Sequence, residues 1–290
     1  MHIPVLLQEV ISALNPSPGK FIIDGTLGAG GHAREVIKRI TPGGKFLGVD
    51  QDQASVSQFD ACNKDLSFCN IIQGNYAKTL SFLQNQHLGK ADGLLVDLGF
   101  SSEQMDGSLS GRGFSFKQEE PLIMTYSDDY SPAYEVLKNL TEGELFKTLR
   151  DLGEERFARR IAKAIKEGEE VLTTTQLVDR VLSVTPSWYH ARRIHPATKT
   201  FMAIRILVNK ELENLQELLT TLPEIINSKG RVAIISFHSL EDRIVKHAFR
   251  DYEKQGIFQR VNKKPLIAST EELYINPRAR SAKLRVIEKI

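Results

Sequence analysis

Four short apolar runs constrain this chain more than any other feature. Phe21-Ile22-Ile23-Asp24, Phe46-Leu47-Gly48-Val49-Asp50, Ile71-Ile72-Gln73 and Leu94-Leu95-Val96-Asp97 lie within the first hundred residues, and helical patterns follow them. Runs that are apolar at consecutive positions bury both faces, so they read as strands of a parallel sheet with helices on either side. The glycine-rich turn after the first run leads into a helix expected over about 31–40. From about Gly107 to Thr198 the pattern becomes helical with almost no strand signal. There Phe157, Ile161 and Ile165 recur at i, i+4 and i+8, one helix face. The α/β pattern then resumes. A long helix is expected over about 198–219, on apolar Phe201, Ile204, Val208, Leu212, Leu215 and Leu219. Gly230 closes that segment, Val232 to Phe237 reads as a fifth strand, and a helix follows over about 240–252. Two weaker strand candidates lie near 258–261 and 284–287. The simplest architecture is one doubly wound α/β domain, residues 1–107 and 199–290, interrupted by an all-helical insertion, 108–198.

Composition narrows the class. Hydrophobic residues at 41% and charged residues at 26% fit a soluble globular chain with a substantial core. A net charge of +2 argues against a simple polybasic nucleic-acid coat, yet residues 241–290 hold 12 basic and 7 acidic residues, so a local basic face is available. Cys62 and Cys69 are too few for a disulfide scaffold or a cysteine zinc finger and fit reduced thiols of a cytoplasmic protein; no metal is expected. The N-terminus lacks the pattern of a signal peptide, and no apolar run nears the roughly 18 residues of a membrane span.

The segment Asp24-Gly25-Thr26-Leu27-Gly28-Ala29-Gly30-Gly31-His32 sits between strand and helix. Glycines there let the backbone approach a ligand, and the helix start offers free N–H donors. Asp50, at the end of the next strand, suits a ribose diol. Such a loop serves a nicotinamide dinucleotide or S-adenosylmethionine. Asp24 beside the glycines favours the cationic sulfonium over a pyrophosphate. Asp97, at the carboxyl end of the fourth strand, lies where ligands of open α/β sheets bind; capping a following turn is the plainer alternative. For Tyr76, stacking on an adenine and ordinary packing stand level.

Beyond the glycine loop, several segments together resemble the RsmH (MraW) family of bacterial 16S rRNA cytidine N4-methyltransferases. They are His2-Ile3-Pro4-Val5-Leu6-Leu7, Gly93-Leu94-Leu95-Val96-Asp97-Leu98-Gly99, Arg112-Gly113-Phe114-Ser115-Phe116 and Gly153-Glu154-Glu155-Arg156-Phe157-Ala158. Further on come His195-Pro196-Ala197-Thr198-Lys199-Thr200-Phe201, Ile235-Ser236-Phe237-His238-Ser239-Leu240-Glu241-Asp242-Arg243 and Asn276-Pro277-Arg278-Ala279-Arg280-Ser281. The resemblance runs end to end. It implies a Rossmann-like class I methyltransferase sheet with a helical insertion, and S-adenosylmethionine as donor. It also implies a decoding-centre cytidine as target, position 1402 of 16S rRNA in the small ribosomal subunit. The donor contacts it implies fall on Gly30, Gly31, His32, Asp50, Tyr76, Asp97 and Gln104. One departure stands out: Pro121-Leu122-Ile123-Met124-Thr125 replaces the family's Pro-Leu-Asp-Met-Arg.

Cytosine N4 is a weak nucleophile because its lone pair is delocalised into the ring, so holding it in line with the methyl group supplies much of the rate. A hydrogen-bond acceptor at N4 helps further. Asp97 is the first candidate for that catalytic role, and the sequence leaves open whether it serves the donor or the amine. His238, with Ser239, is a second candidate, for contact with the target base; a turn-stabilising role is the alternative. His32 suits the donor carboxylate or a helix cap, and Ser101 and Ser102 suit the base edge or a turn. Arg156, Arg159, Arg160, Lys163 and Lys166 lie on a helix with no acid among them; spacing alone reads as a solvated face. Arg192, Arg193 and the basic tail, Lys263, Lys264, Arg278, Arg280, Lys283 and Arg285, add to a phosphate-binding surface. Trp188-Tyr189 reads as core packing before base stacking. Two rival functions remain at this level: a dinucleotide-dependent oxidoreductase, and a non-catalytic ribosome-assembly factor.

Overall fold

The computed structural model describes residues 3–62, 66–99 and 111–290. Its elements are α1 (Leu7–Leu14), β1 (Phe21–Asp24), α2 (Gly31–Ile40), β2 (Lys45–Asp50), α3 (Gln53–Cys62), β3 (Cys69–Gln73), α4 (Thr79–Asn85) and β4 (Ala91–Asp97). Then come α5 (Ala133–Asn139), α6 (Glu142–Asp151), α7 (Ala158–Glu167), α8 (Thr174–Val184), α9 (Ser187–His190), α10 (Thr198–Val208) and α11 (Glu211–Ile225). The chain closes with β5 (Ile226–Ser236), α12 (Ser239–Lys254), β6 (Phe258–Arg260), α13 (Thr270–Ile275) and β7 (Lys283–Lys289).

The strands make one seven-stranded sheet in the order β3-β2-β1-β4-β5-β7-β6. β1 to β5 are parallel, and β7 runs antiparallel between β5 and β6. This is the Rossmann-like methyltransferase sheet expected from the sequence. Alternation along each strand sends neighbours to opposite faces. Ile22 packs with Ala33, Val36 and Ile40 of α2, whereas Ile23 joins Leu47, Leu94, Val96 and Ile234 on the other face. Both residues are fully buried, which is why these runs lack polar alternation. Each such side chain contributes about 2 kcal/mol of burial. Ala233, Ile235, Leu284 and Val286 pack with Val10 and Leu14 of α1.

The chain divides into two units, 1–104 with 212–290, and 105–211. The second unit has its own core, including Leu145, Leu149, Ile161, Ile165, Leu177 and Val181. Capping boxes start two of its helices: Thr141 with Glu144, and Thr173 with Gln176. Ile161 and Ile165 are buried as their spacing predicts.

Two expectations need correction. The helix expected over 198–219 is broken. Lys210 takes a left-handed φ of 49°, and α10 ends at Asn209, whose side-chain amide donates to the Met124 carbonyl (2.8 Å) while its oxygen accepts from the Tyr126 amide (2.9 Å). Consequently α10 belongs to the helical unit, where Phe201, Ile204 and Val208 enter the core; the expected assignment of 199–211 to the sheet domain does not hold. Gly230 lies inside β5 rather than before it, at a register shift against β4. Among the described residues no helix is long and apolar enough to cross a membrane.

Candidate functional site

Parallel strands end on one edge of the sheet, and the loops there carry the sequence's candidate residues. β1 ends at Asp24, β2 at Asp50 and β4 at Asp97. The loop after β1 is held to its neighbours by the backbone. Gly25 N–H donates to the Leu95 carbonyl (2.9 Å), and Leu27 N–H to the Val49 carbonyl (2.9 Å). Asp50 fixes the loop's tip: its Oδ2 accepts from Gly28 N–H (2.7 Å) and its Oδ1 from Asp52 N–H (2.9 Å). Thr26 joins β1 to β4, because its Oγ1 accepts from the Asp97 amide (2.7 Å) while its own amide donates to Asp24 Oδ1 (3.1 Å).

Two glycines here are required. Gly30, at φ 75°, precedes α2, and a Cβ there would lie 2.2 Å from the Phe59 ring. A Cβ on Gly31 would lie 2.4 Å from Pro4 Cγ. The first turn of α2 therefore starts with bare backbone, and its unsatisfied N–H groups face outward.

His32 does not cap α2, whose N-cap is Gly30 with no side-chain cap. The ring is buried, with Nε2 2.9 Å from the Val5 carbonyl. That geometry makes Nε2 the donor and turns Nδ1 towards Asp97, 3.9 Å from Oδ2. Asp97 itself is 22% exposed, but its Oδ1 is buried with no hydrogen-bond partner among the described residues. Buried carboxylate oxygens rarely stay unpaired, so this atom marks a place for a donor that the described residues do not supply. Burial, then the Asp24 and Glu241 carboxylates, push the Asp97 carboxyl well above the ordinary carboxylate range. Burial chiefly, with help from Asp50 and against hydrogen bonds from Thr26, pushes Asp24 up to about 7. Among the described residues no lysine or arginine pairs with Asp24 or Asp97. Carboxyls held up by burial ionise most readily beside a cation, so this rim suits a cationic ligand better than a pyrophosphate.

Other expected residues sort as follows. Gly30, Gly31, His32, Asp50 and Asp97 all lie on this rim. Tyr76, in the turn after β3, is buried in the core, with its Cβ 3.1 Å from where a Gly25 side chain would begin. Gln104, Ser101 and Ser102 fall outside the described residues. His238 is the N-cap of α12: its Nδ1 accepts from the Glu241 amide (3.5 Å), and Glu241 Oε2 accepts from the Phe237 amide (2.8 Å). The turn-stabilising alternative thus describes what its ring does here. The sequence reading missed three contributors: Val5, which orients His32; Thr26, which ties Asp97 to the loop; and Glu241, a buried acid near Asp97. Glu241 carried a signal, since it follows the strand that neighbours β4.

In the helical unit, Arg112 binds the segment that carries the departure at 123–125. Its Nη1 donates to the Thr125 carbonyl and hydroxyl (both 3.2 Å), and Nη2 to Asp128 (2.6 Å). Lys166 donates to the Leu137 and Lys138 carbonyls at the end of α5 (both 3.0 Å), so it is spent on a helix terminus. In the basic tail, Arg285 is buried against Asp242 (2.7 Å) and Lys283 reaches the same carboxylate (3.3 Å). These two are structural; Lys263, Lys264, Arg278 and Arg280 remain exposed. Tyr189 is buried with its hydroxyl on Glu155 (2.9 Å), whereas Trp188, expected in the core, is 49% exposed.

Comparison with known proteins agrees with this geometry. The chain is 39% identical to the ribosomal RNA small subunit methyltransferase H of Trichlorobacter lovleyi over 309 residues, covering all of this chain and 98% of that one. It is 43% identical to the same-named protein of Fervidobacterium nodosum over 297 residues, covering all of this chain and 97% of that one. Among solved structures, TrmN from Thermus thermophilus aligns with 98% of this chain and 48% of its own, at 11% identity and a TM-score of 0.47. The family match spans residues 1–290 and supports S-adenosylmethionine as the methyl donor. An acidic, glycine-lined rim on a methyltransferase sheet, and sequence agreement along the whole chain, place this protein in the MraW methylase family.

Proposed function

We propose that the protein transfers a methyl group from S-adenosylmethionine to the exocyclic N4 amine of a decoding-centre cytidine, position 1402 of 16S rRNA in the small ribosomal subunit. The observation that carries this reading is the buried, unpartnered Asp97 Oδ1 on a rim with Asp24 and Asp50. The names of the relatives support the ribosomal substrate.

The residues present fit the donor. Gly30 and Gly31, where Phe59 and Pro4 leave no space for a Cβ, keep the start of α2 as bare backbone, and its N–H groups suit a carboxylate. Asp50, already fixed by two amides, keeps lone pairs for a ribose diol. Tyr76 would border the adenine, and Gln104 completes the proposed set. S-adenosylmethionine supplies an electrophilic methyl group on a sulfonium.

Everything else falls to this chain. Asp24 and Asp97 balance the cation. Asp97 accepts a hydrogen bond from the N4 amine, which localises the lone pair and takes up positive charge as the new bond forms. The 2.7 Å bond from its own amide to Thr26 holds the residue, and His32, fixed by Val5, limits its side chain's freedom. No strong base is needed, since the amine becomes acidic only as it is methylated. His238 caps α12 through Nδ1, which leaves Nε2, 3.1 Å from Glu241 Oε1, for contact with the target base, and it stays in the proposed site in that role.

Labelled methyl transfer to undermethylated small subunits, with the product nucleotide mapped by mass spectrometry, tests the reading. N4-methylcytidine at that position is expected. Transfer to another nucleotide, or none from folded protein that binds S-adenosylmethionine, contradicts it. Binding of NAD(P) in place of S-adenosylmethionine would instead revive the oxidoreductase.

A further inference from the structure

Residues of the helical unit outside any role assigned above form a second chemical surface. Trp188 in α9 is 49% exposed, an unusual position for the one tryptophan of the chain. The neighbouring Tyr189 is anchored inward on buried Glu155, and Phe157 packs on Tyr189 with ring centres 5.0 Å apart. Trp188 leans on the same pair, 5.9 Å from the Phe157 ring and 5.8 Å from the Tyr189 ring. Phe157 meets the indole tilted and Tyr189 meets it edge-on, so the ring is held in place while about half of it stays exposed. Arg156 stands 5.2 Å from its centre and Arg192 5.6 Å, and Arg160 lies 5.8 Å from Phe157. All three arginines are exposed, and no carboxylate among the described residues pairs with them.

Three free guanidiniums around an open indole are poorly suited to a protein partner, whose interface would have to desolvate all three charges. They are well suited to a polyanion that also offers flat rings. Base stacking on an aromatic tolerates any sequence, and guanidiniums bind the flanking phosphates. We propose that Trp188 with Arg156, Arg160 and Arg192 is a platform for single-stranded RNA, on which one unpaired base of the substrate stacks while adjacent phosphates meet the arginines. This deepens the RNA-methylating reading above and rests on it. The solvated-face reading of the basic residues over 156–166 then applies to Lys163, which pairs with Glu167, but not to Arg156, just before α7, or to Arg160.

Because Trp188 is the sole tryptophan, intrinsic fluorescence of the full-length protein reports on this surface alone. The probe is a single-stranded oligocytidylate of ~8 nucleotides, within the span one such site covers. Saturable quenching by the oligonucleotide, with none from inorganic polyphosphate, is expected. Read by filter retention of the labelled oligonucleotide, because both variants lack the fluorophore, Trp188→Ala should weaken binding about tenfold or more, and Trp188→Phe should restore most of it. Arg192→Gln keeps the reporter and should flatten the salt dependence by roughly 0.7 in log–log slope. Equal affinity for wild type and Trp188→Ala, or equal quenching by polyphosphate, overturns the platform. Methyl transfer to small subunits, run on the same preparations, separates the two claims. A wild type that methylates yet shows no quenching sinks the platform alone, and one that quenches yet methylates nothing sinks the functional reading alone.

Discussion

The two units use opposite electrostatics. In the sheet unit the functional edge is acidic and buried: Asp24 is 2% exposed, and Asp97 has a buried oxygen with no partner among the described residues. In the helical unit the conspicuous cluster is basic and exposed, with Arg156, Arg160 and Arg192 set around a half-exposed indole. Burial makes the first set selective for one small cation, because each charge counts for more where water is excluded. Exposure makes the second set weak per contact but additive along a polyanion. A methylase that takes a cationic donor and an RNA acceptor needs both, and the chain keeps them on separate cores.

This contrast can be broken experimentally. The largest effect is expected at the buried edge. Asp97→Ala should lower turnover at least 100-fold in single-turnover methyl transfer, with an unchanged thermal transition; near-normal turnover would remove Asp97 from the chemistry. Gly30→Ala should be next, because the added carbon meets the Phe59 ring at 2.2 Å and a φ of 75° strains any side chain. Calorimetry should show a loss of S-adenosylmethionine affinity of some tens of fold, on the order of 2 kcal/mol. Raising salt from about 50 to 200 mM should weaken RNA binding roughly 20-fold if three phosphates are held, while S-adenosylmethionine binding shifts far less. Equal sensitivity of both ligands would erase the distinction. Asp24 gives the next effect. Its folded pKa of about 7 lies above the ordinary 3.8, so its contribution to the empty site's stability is fully present below about pH 4 and is lost progressively as pH rises to about 7. A cation prefers the ionised form, so S-adenosylmethionine affinity should rise about tenfold between roughly pH 6 and pH 8. Asp24→Asn should flatten that profile. In the helical unit Thr125→Val removes one of Arg112's acceptors, and should cost about 1 kcal/mol in thermal denaturation.

What the sequence made legible follows from which forces are local. β1 spans Phe21–Asp24 and α2 spans Gly31–Ile40, as read from the sequence, because two-sided burial and a glycine start leave plain patterns. The glycine loop and Asp50 were legible for the same reason. The break at 209–210 was not. It depends on Asn209 bonding to Met124 and Tyr126, residues over eighty positions away, and the apolar spacing runs straight across it. Nor could spacing separate Trp188 from Tyr189: Glu155 is what draws the tyrosine inward. His238 stood at the right edge for a base contact, and the Glu241 three residues on signalled the capping box that its Nδ1 also makes. Lys283 and Arg285 read as free positive charge, because Asp242 lies some forty residues away in sequence.

The central claim is that Asp24, held protonated by burial in the empty site, becomes ionised when the sulfonium arrives. Asp24, Asp97, Asp50 and Glu241 face that event together, with His32 beside them. Calorimetry of S-adenosylmethionine binding near pH 6.5, repeated in buffers of different ionisation enthalpy, counts the protons exchanged. Net proton release that diminishes in Asp24→Asn is predicted; binding with no proton exchange, or with uptake, contradicts the account.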